Sequence, residues 1–160
     1  MRSIIIITII FILLETFVIC KSAKAAVSFQ QAKGVFAKVC NTSGYHLILK
    51  YSDDTNSNAW CDSYGTIYIN QGMLNDLENE SQLAMVLGHE VSHYVHKDYR
   101  KEKKNQEIDA DKLGYYYCKK SGYKKCLGFF TNMLRKYGEE GDDGIHPSWT
   151  TRLQGVINNG

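Results

Sequence analysis

The sequence predicts an α+β protein that is mostly helical and contains one small antiparallel or mixed sheet. Residues 64–70 (YGTIYIN) are rich in β-branched and aromatic side chains, which favour a strand, and residues 46–51 (HLILKY) predict a second one. Elsewhere, apolar residues recur at the spacing of amphipathic helices. The 160 residues fit a single domain that is large enough to bury a core.

Helices are expected before and after these strands in the sequence, and some of them have residues at their ends that are typical of helix caps and helix ends. Asn79 or Ser81 can cap the central helix, and Gly122 can end the helix that follows it. The polar residues 52–58 predict a loop between the strands. The predicted helices cover about 27–39, 71–77, 83–94, 104–121 and 124–137, and a last short one begins near Ser148.

The first 25 residues have the pattern of a secretory signal peptide. Arg2 gives a short basic start, residues 4–14 are almost all apolar, and small residues precede a cleavage point after Ala25. Residues 26–160 are then one domain, exported to a periplasm or secreted. Glu15 interrupts the apolar run, which disfavours an uncleaved membrane anchor.

The net charge of the exported domain and the residues around Cys20 disfavour nucleic acid, an anionic membrane and a lipid anchor as binding partners or attachments. Residues 1–25 contain three of the 19 basic and one of the 17 acidic residues, so the remaining chain is neutral. A neutral chain favours neither nucleic acid nor an anionic membrane as a partner. Ile19, which precedes Cys20, is bulky and fits a lipoprotein site poorly. No stable membrane span is expected after cleavage.

Four cysteines follow the signal peptide, and an even number in an exported chain predicts two disulfides. Three pairings are possible. The shortest loops are closed when Cys40 pairs with Cys61 and Cys118 with Cys126, and these are the favoured pairs. The absence of a C-x-x-C pair from the sequence disfavours a thiolate zinc site.

The segment LGHEVSHYVHK, residues 87–97, carries the pattern H-E-x-x-H. His89 and His93 are four residues apart, so both imidazoles can reach one ion from a single helix face. Glu90 is offset by about 100° around the helix, where it can reach a water held at that ion without being a ligand. His96 is interpreted as a surface residue. The motif predicts a zinc site with a carboxylate base.

A catalytic zinc site needs a third protein ligand, and the next predicted helix offers one. Glu107 and Asp111 lie four apart on one face of that helix. Glu107 is the predicted ligand, and Asp111 can accept a hydrogen bond from the far nitrogen of a ligand histidine. Glu102 and Asp109 compete for the ligand role. Glu102 lies close to the turn, and Asp109 faces away from Glu107.

H-E-x-x-H followed by E-x-x-A-D resembles the gluzincin metallopeptidases, and specifically peptidase family M48, which includes the HtpX-like proteases. The resemblance extends over about residues 58–152. Only 13 residues lie between His93 and Glu107, and the chain lacks transmembrane hairpins, so it looks like a minimal soluble member. The segments that carry the resemblance are Asn58-Ala59-Trp60, Gly72-Met73-Leu74, 82–90, 107–111 with Gly114, and His146-Pro147-Ser148 with Arg152.

That resemblance implies one zinc ion per chain, held by His89, His93 and Glu107, with Glu90 as the catalytic base. Asp111 would accept a hydrogen bond from a ligand histidine, at the ring nitrogen that faces away from the zinc. Two alternatives stay open for His146 and Arg152. They either stabilise the oxyanion or bound peptide, or brace the C-terminal segment against the Asp111 helix.

The expected activity is zinc-dependent endopeptidase cleavage of peptides or unfolded proteins. In gluzincins the substrate lies as an added strand on the sheet edge above the zinc, and residues 64–70 are the expected edge. One alternative is a non-catalytic or latent exported zinc-binding protein that acts as a binding or effector module. In the latent form, residues 26–40 would cover the cleft.

Overall fold

Six helices and three strands follow one another in the part of the chain that the computed structural model describes, residues 27–97, 104–139 and 146–158. The predicted signal peptide, residues 1–25, lies outside these ranges. The elements are α1 (Phe29–Ser43), β1 (Ile48–Ser52), β2 (Ala59–Cys61), β3 (Thr66–Asn70), α2 (Gln71–Asp76), α3 (Glu80–His96), α4 (Lys104–Lys120), α5 (Gly128–Tyr137) and α6 (Trp149–Ile157).

The three strands form one mixed sheet in the order β1-β3-β2. β1 pairs with β3 in parallel, and β2 pairs with β3 antiparallel. This confirms the mostly helical α+β class with a small sheet. The prediction that residues 64–70 form the free edge is wrong, because β3 lies in the middle and β2 takes the edge.

α3 is the central helix of the molecule. Every residue from 82 to 92 is buried, because α1, α4, α5 and the sheet all pack around it. Asn79 caps its first turn, with its side-chain oxygen accepting from the backbone N–H groups of Ser81 and Gln82. The largest fully buried side chains that surround α3 are Ile67, Ile69, Leu74, Leu77, Phe130 and Met133.

α1 is part of this core. Ser28 caps it through a reciprocal pair of hydrogen bonds with Gln31. Its buried face packs against α3 and lies away from the cleft described below. The latent arrangement, in which residues 26–40 would cover that cleft, is therefore wrong for the described part of that segment. The buried residues of α1 are Ala32, Val35, Phe36, Val39 and Cys40.

One of the two predicted disulfides is present. Cys118 near the end of α4 is bonded to Cys126, which confirms that pair. The bridge holds residues 121–127 in turns, so α5 begins at Gly128, four residues later than predicted.

The predicted bond between Cys40 and Cys61 is wrong, since both are free thiols. Cys40 lies beside the backbone of Leu47, just before β1. Cys61 ends β2, on the far side of β3. Two strand spacings come to about 9–10 Å, whereas a disulfide requires Cα atoms within about 7 Å.

None of the helices in the described ranges is both long enough and apolar enough to span a bilayer.

Candidate metal centre

Two histidines of α3 point their ring nitrogens at the same place. His89 and His93 lie one turn apart, and their rings are nearly perpendicular, with centroids 4.5 Å apart. The two Nε2 atoms are 2.9 Å apart. His96, the third histidine of this segment, lies outside this group and lines a shallow groove elsewhere.

Glu107 of α4 completes the cluster. Its carboxylate lies 3.2 Å from Nε2 of His93 and 3.6 Å from Nε2 of His89, and the residue is only 4% exposed. The competing candidates do not reach this point in the described structure. Asp109 is exposed and pairs with Lys112. Glu102 lies outside the described residues.

A close crossing of two backbones brings α4 to this distance. A Cβ atom at Gly88 would lie 2.7 Å from the carbonyl oxygen of Gly114, and one at Gly114 would lie 2.7 Å from the backbone nitrogen of His89. Any larger residue at either glycine would push the helices apart. The antiparallel course then places Glu107 opposite His93 and Asp111 opposite His89.

The three ligand atoms fit a zinc ion. A tetrahedral ion with bonds of about 2.0–2.1 Å holds its ligands about 3.3 Å apart. The two Nε2 atoms are 2.9 Å apart, and the two carboxylate oxygens of Glu107 lie 3.2 Å from His93 and 3.6 Å from His89. Two imidazoles and one carboxylate form a donor set that zinc accepts in catalytic sites. These residues form the one such cluster found among the described parts of the chain.

Asp111 orients His89 from behind. Its Oδ1 atom is 2.8 Å from Nδ1 of His89. Because a carboxylate only accepts hydrogen bonds, Nδ1 carries the proton and Nε2 keeps the lone pair that a metal requires. Burial would raise the pKa of Asp111, but Arg152 and His89 outweigh it and hold that pKa below its usual value.

Arg152 of α6 braces Asp111. Its Nε and Nη2 atoms each donate to one carboxylate oxygen of Asp111, both at 2.7 Å, and its Nη1 atom lies 3.5 Å from Glu107. The guanidinium also lies over the ring of Trp149, 4.9 Å from its centroid. The structure thus places Arg152 in the bracing arrangement that was one of its two alternatives.

His146 lies at the mouth of the site. Its Nδ1 atom is 3.5 Å from Oε2 of Glu107, and half of its side chain is exposed. It lines the same cleft as the ligands. Both of its predicted roles, contact with bound peptide and bracing, fit this position.

Glu90 is buried beside the ligands and faces the cleft. It is 7% exposed. Burial raises its pKa, and this outweighs the opposing electrostatic effect of the neighbouring side chains His89 and His93. Burial also acts on Glu107, but there the hydrogen bond from His93 and the neighbouring charges win and hold the pKa far below its usual range.

A cleft of about 1,020 Å³ opens onto this cluster. One wall is β2 with the loop before it, and the other is formed by α5, α6 and the segment before α6. Sequence reasoning missed this strand, because three residues are too few to show alternation. It also gave no role to Trp60, which lines the cleft from β2. The apolar side chains of the opposite wall are Phe129, Met133, Tyr137, Pro147 and Trp149.

The free side of β2 can be derived from its pairing. The backbone N–H of Asp62 donates to Thr66, and that of Asn70 donates to Asn58, so the hydrogen-bonded pairs alternate along the strand. The peptide groups of Trp60 then face β3, and those of Ala59 and Cys61 face the cleft. No further strand pairs with this side among the described residues.

Comparison with known proteins agrees with the geometry. The model of peptidase family M48 matches residues 26–104. The match includes H-E-x-x-H and ends before Glu107, Asp111 and Arg152, which the structure adds to the same site. None of the curated proteins matches the chain significantly. The family match and the three converging ligand atoms show that the chain belongs to peptidase family M48, a family of zinc-dependent metallopeptidases.

Proposed function

We propose that this protein is an exported zinc endopeptidase in which Glu90 activates the attacking water. The observation that carries the proposal is the position of Glu90. It is buried next to the three ligand side chains, it faces the cleft, and it is not one of the ligands. A site that only held a metal for structural reasons would need ligands and no base.

Different residues would bind the metal, transfer the proton and orient a ligand. His89, His93 and Glu107 would hold the zinc, which when bound polarises a scissile carbonyl and acidifies water. Glu90 takes a proton from the water while the oxygen of that water attacks the carbonyl carbon. The same carboxyl group then gives that proton to the leaving amine when the C–N bond breaks. Asp111 keeps His89 in the tautomer that this arrangement needs.

The substrate would bind as an extended strand along β2. The peptide groups of Ala59 and Cys61 face the cleft and can form main-chain hydrogen bonds with it. Main-chain binding requires an unfolded segment, so flexible peptides and unfolded proteins are the substrate class. This replaces β3, the edge expected from the sequence, with β2.

Two features support an exported location. Residues 1–25 have the composition of a signal peptide, and Cys118 is bonded to Cys126. Disulfides persist in oxidising compartments such as the periplasm and the extracellular space. The net charge of zero for residues 26–160 gives no support for nucleic acid as a partner.

The test compares the mature chain, residues 26–160, with its Glu90→Gln variant. Zinc content and cleavage of casein are measured for both. We expect equal zinc content and a loss of cleavage of at least about 100-fold, because general acid–base catalysis contributes about that much or more. Glu80→Gln, a change in the first turn of the same helix, serves as the matched control and should cleave normally.

Two results would contradict the proposal. Cleavage by Glu90→Gln at the wild-type rate would remove Glu90 from the mechanism. Zinc in every variant with cleavage in none would favour the non-catalytic binding module instead.

A further inference from the structure

We propose that the outer ring face of Trp60 is a subsite that selects an aromatic side chain of the substrate. This inference rests on the proposed binding of a substrate strand along β2. It adds a preference for aromatic residues at one fixed position, on the side of the sheet away from α3.

The first observation is a ladder of side chains across the outer face of the sheet. Lys50, Tyr68 and Trp60 occupy directly paired positions on β1, β3 and β2. The rings of Trp60 and Tyr68 are stacked, with centroids 4.9 Å apart and planes within 7° of parallel. The ammonium of Lys50 lies 5.6 Å from the Tyr68 centroid.

The stack repeats at the strand spacing. Neighbouring strands lie about 4.7–4.9 Å apart, and the ring separation is 4.9 Å. The rings therefore stand upright on the sheet, with their faces turned along the hydrogen-bond direction. One face of Trp60 contacts Tyr68. The other is turned toward the free edge, in line with a side chain that is 40% exposed and lines the cleft.

The pairing pattern places a substrate side chain against that open face. At the free edge of β2, the peptide groups of Ala59 and Cys61 are the ones that can form hydrogen bonds with a substrate strand. In an antiparallel addition, the substrate residue opposite Trp60 is thus in a non-hydrogen-bonded pair. Such pairs have Cα atoms only about 4.5 Å apart, and their side chains lie closest together. The ladder then gains a fourth member at the same spacing.

The charge already in the ladder favours an aromatic residue over a cation. Lys50 occupies the other end of the stack and already draws on the electron density of the rings. Aromatic pairs across strands are stabilising, and offset stacking extends the arrangement that Trp60 and Tyr68 already form.

The subsite and the metal cluster lie on opposite faces of the sheet, because successive side chains of a strand point to opposite faces. Trp60 points to the outer face, whereas its neighbours Ala59 and Cys61 point toward the face that packs on α3. A change at Trp60 should therefore alter which peptides bind and leave the metal cluster intact.

The experiment maps cleavage sites in a mixture of unfolded proteins by mass spectrometry. Wild-type protein should show Phe, Tyr and Trp enriched at one fixed distance from the cleaved bond. Trp60→Leu should lose that enrichment at unchanged zinc content. Tyr64→Leu, a change at a side chain that is 90% exposed in the turn after β2, is the matched control and should keep it.

A second readout measures binding without catalysis. Zinc-loaded Glu90→Gln is titrated with two labelled peptides that differ only by Phe or Ala at the mapped position, or at each position in turn if no cleavage occurs. Adding Trp60→Leu should weaken binding of the Phe peptide about 3- to 10-fold, the range expected for an aromatic pair, and leave the Ala peptide unchanged.

The outcomes separate the two proposals. Cleavage without an aromatic preference, or with one that survives Trp60→Leu, overturns the subsite and leaves the peptidase standing. Trp60-dependent binding of the Phe peptide without cleavage supports the subsite and overturns the peptidase. Equal loss of binding for both peptides in Trp60→Leu also overturns the subsite, because it would show a general effect on the strand.

Discussion

Asp111 connects a histidine of the candidate metal centre, His89, to the guanidinium of Arg152. It accepts hydrogen bonds from His89 on one side and from Arg152 on the other, and it is fully buried. Without its carboxylate, His89 would lose its fixed tautomer and Arg152 would be left as a buried cation without its main partner. Both effects act on the metal centre, although Asp111 itself is not a ligand.

Replacement of Asp111 by Asn should therefore weaken zinc binding by about 10- to 100-fold, the usual range for the loss of a carboxylate that supports a ligand histidine. Competition with a chelator of known affinity gives the constant. Asp109→Asn is the matched control, since Asp109 lies two residues away on the same helix and is exposed. Wild-type affinity in Asp111→Asn would show that His89 does not need this partner.

The sequence allowed this residue to be predicted, but it left the role of Arg152 open. Asp111 follows Glu107 by one helical turn, so local spacing places both on the ligand side. Arg152 meets Asp111 from 41 residues away in the sequence. Only the packing of α6 against α4 shows that this guanidinium braces the carboxylate.

At the scale of elements, the site depends on how closely α3 and α4 cross. Their backbones touch at Gly88 and Gly114. The H-E-x-x-H helix supplies two ligands, and its partner must approach this closely for Glu107 to reach them. The geometry of the candidate metal centre therefore depends on the distance between α3 and α4.

Gly114→Ala should destabilise the protein by about 1–3 kcal/mol and lower its zinc affinity, because the new Cβ atom would lie 2.7 Å from the backbone of His89. Thermal or urea unfolding and zinc competition measure the two effects. Gly34→Ala is the control. Gly34 lies on the exposed face of α1 with no atom near its Cβ position, so alanine should stabilise the helix by about 0.5–1 kcal/mol. Equal stability of both variants would contradict the close crossing.

The main helices and two strands follow from periodicity and caps, and the exceptions have local causes. β2 spans three residues, too few to show a strand pattern, and it forms because β3 lies beside it. α5 begins late because the bond between Cys118 and Cys126 holds the preceding residues in turns. The wrong pairing of Cys40 with Cys61 came from loop length alone, which does not reveal that β3 lies between them.

At the scale of the whole molecule, the centre joins three separate parts of the chain. α3 gives two candidate ligands, α4 gives the third, and α6 braces α4 through Arg152. An ion that binds all of these only in the folded state must stabilise that state.

Removal of the metal should therefore lower the melting temperature of the whole domain. At a free zinc concentration about 1,000 times the dissociation constant, the stabilisation is about 4 kcal/mol. Calorimetry of zinc-loaded protein before and after treatment with a chelator measures the shift, and added zinc should reverse it. His93→Ala, which lacks one ligand, should show a much smaller shift. An equal shift in this variant would mean that zinc stabilises the fold from another place.

The cleft and the side-chain ladder lay beyond sequence reasoning for a physical reason. Both depend on the register of β2 against β3, which aligns Trp60 with Tyr68. That register is fixed by contacts between segments, and no local pattern encodes it. The proximity of His89 and His93 was predictable because helical spacing alone places them on one face.

The contact at Gly88 and Gly114 has a consequence for the evolution of the protein. Where two helices meet through main-chain atoms, their separation does not depend on which rotamers the surrounding side chains adopt. Substitutions among the neighbouring leucines, valines and methionines can then accumulate, at a cost in stability, without changing the spacing of the ligands. Mutations in the surrounding core should therefore leave the spacing of the ligands unchanged, whereas mutations of these two glycines should alter it.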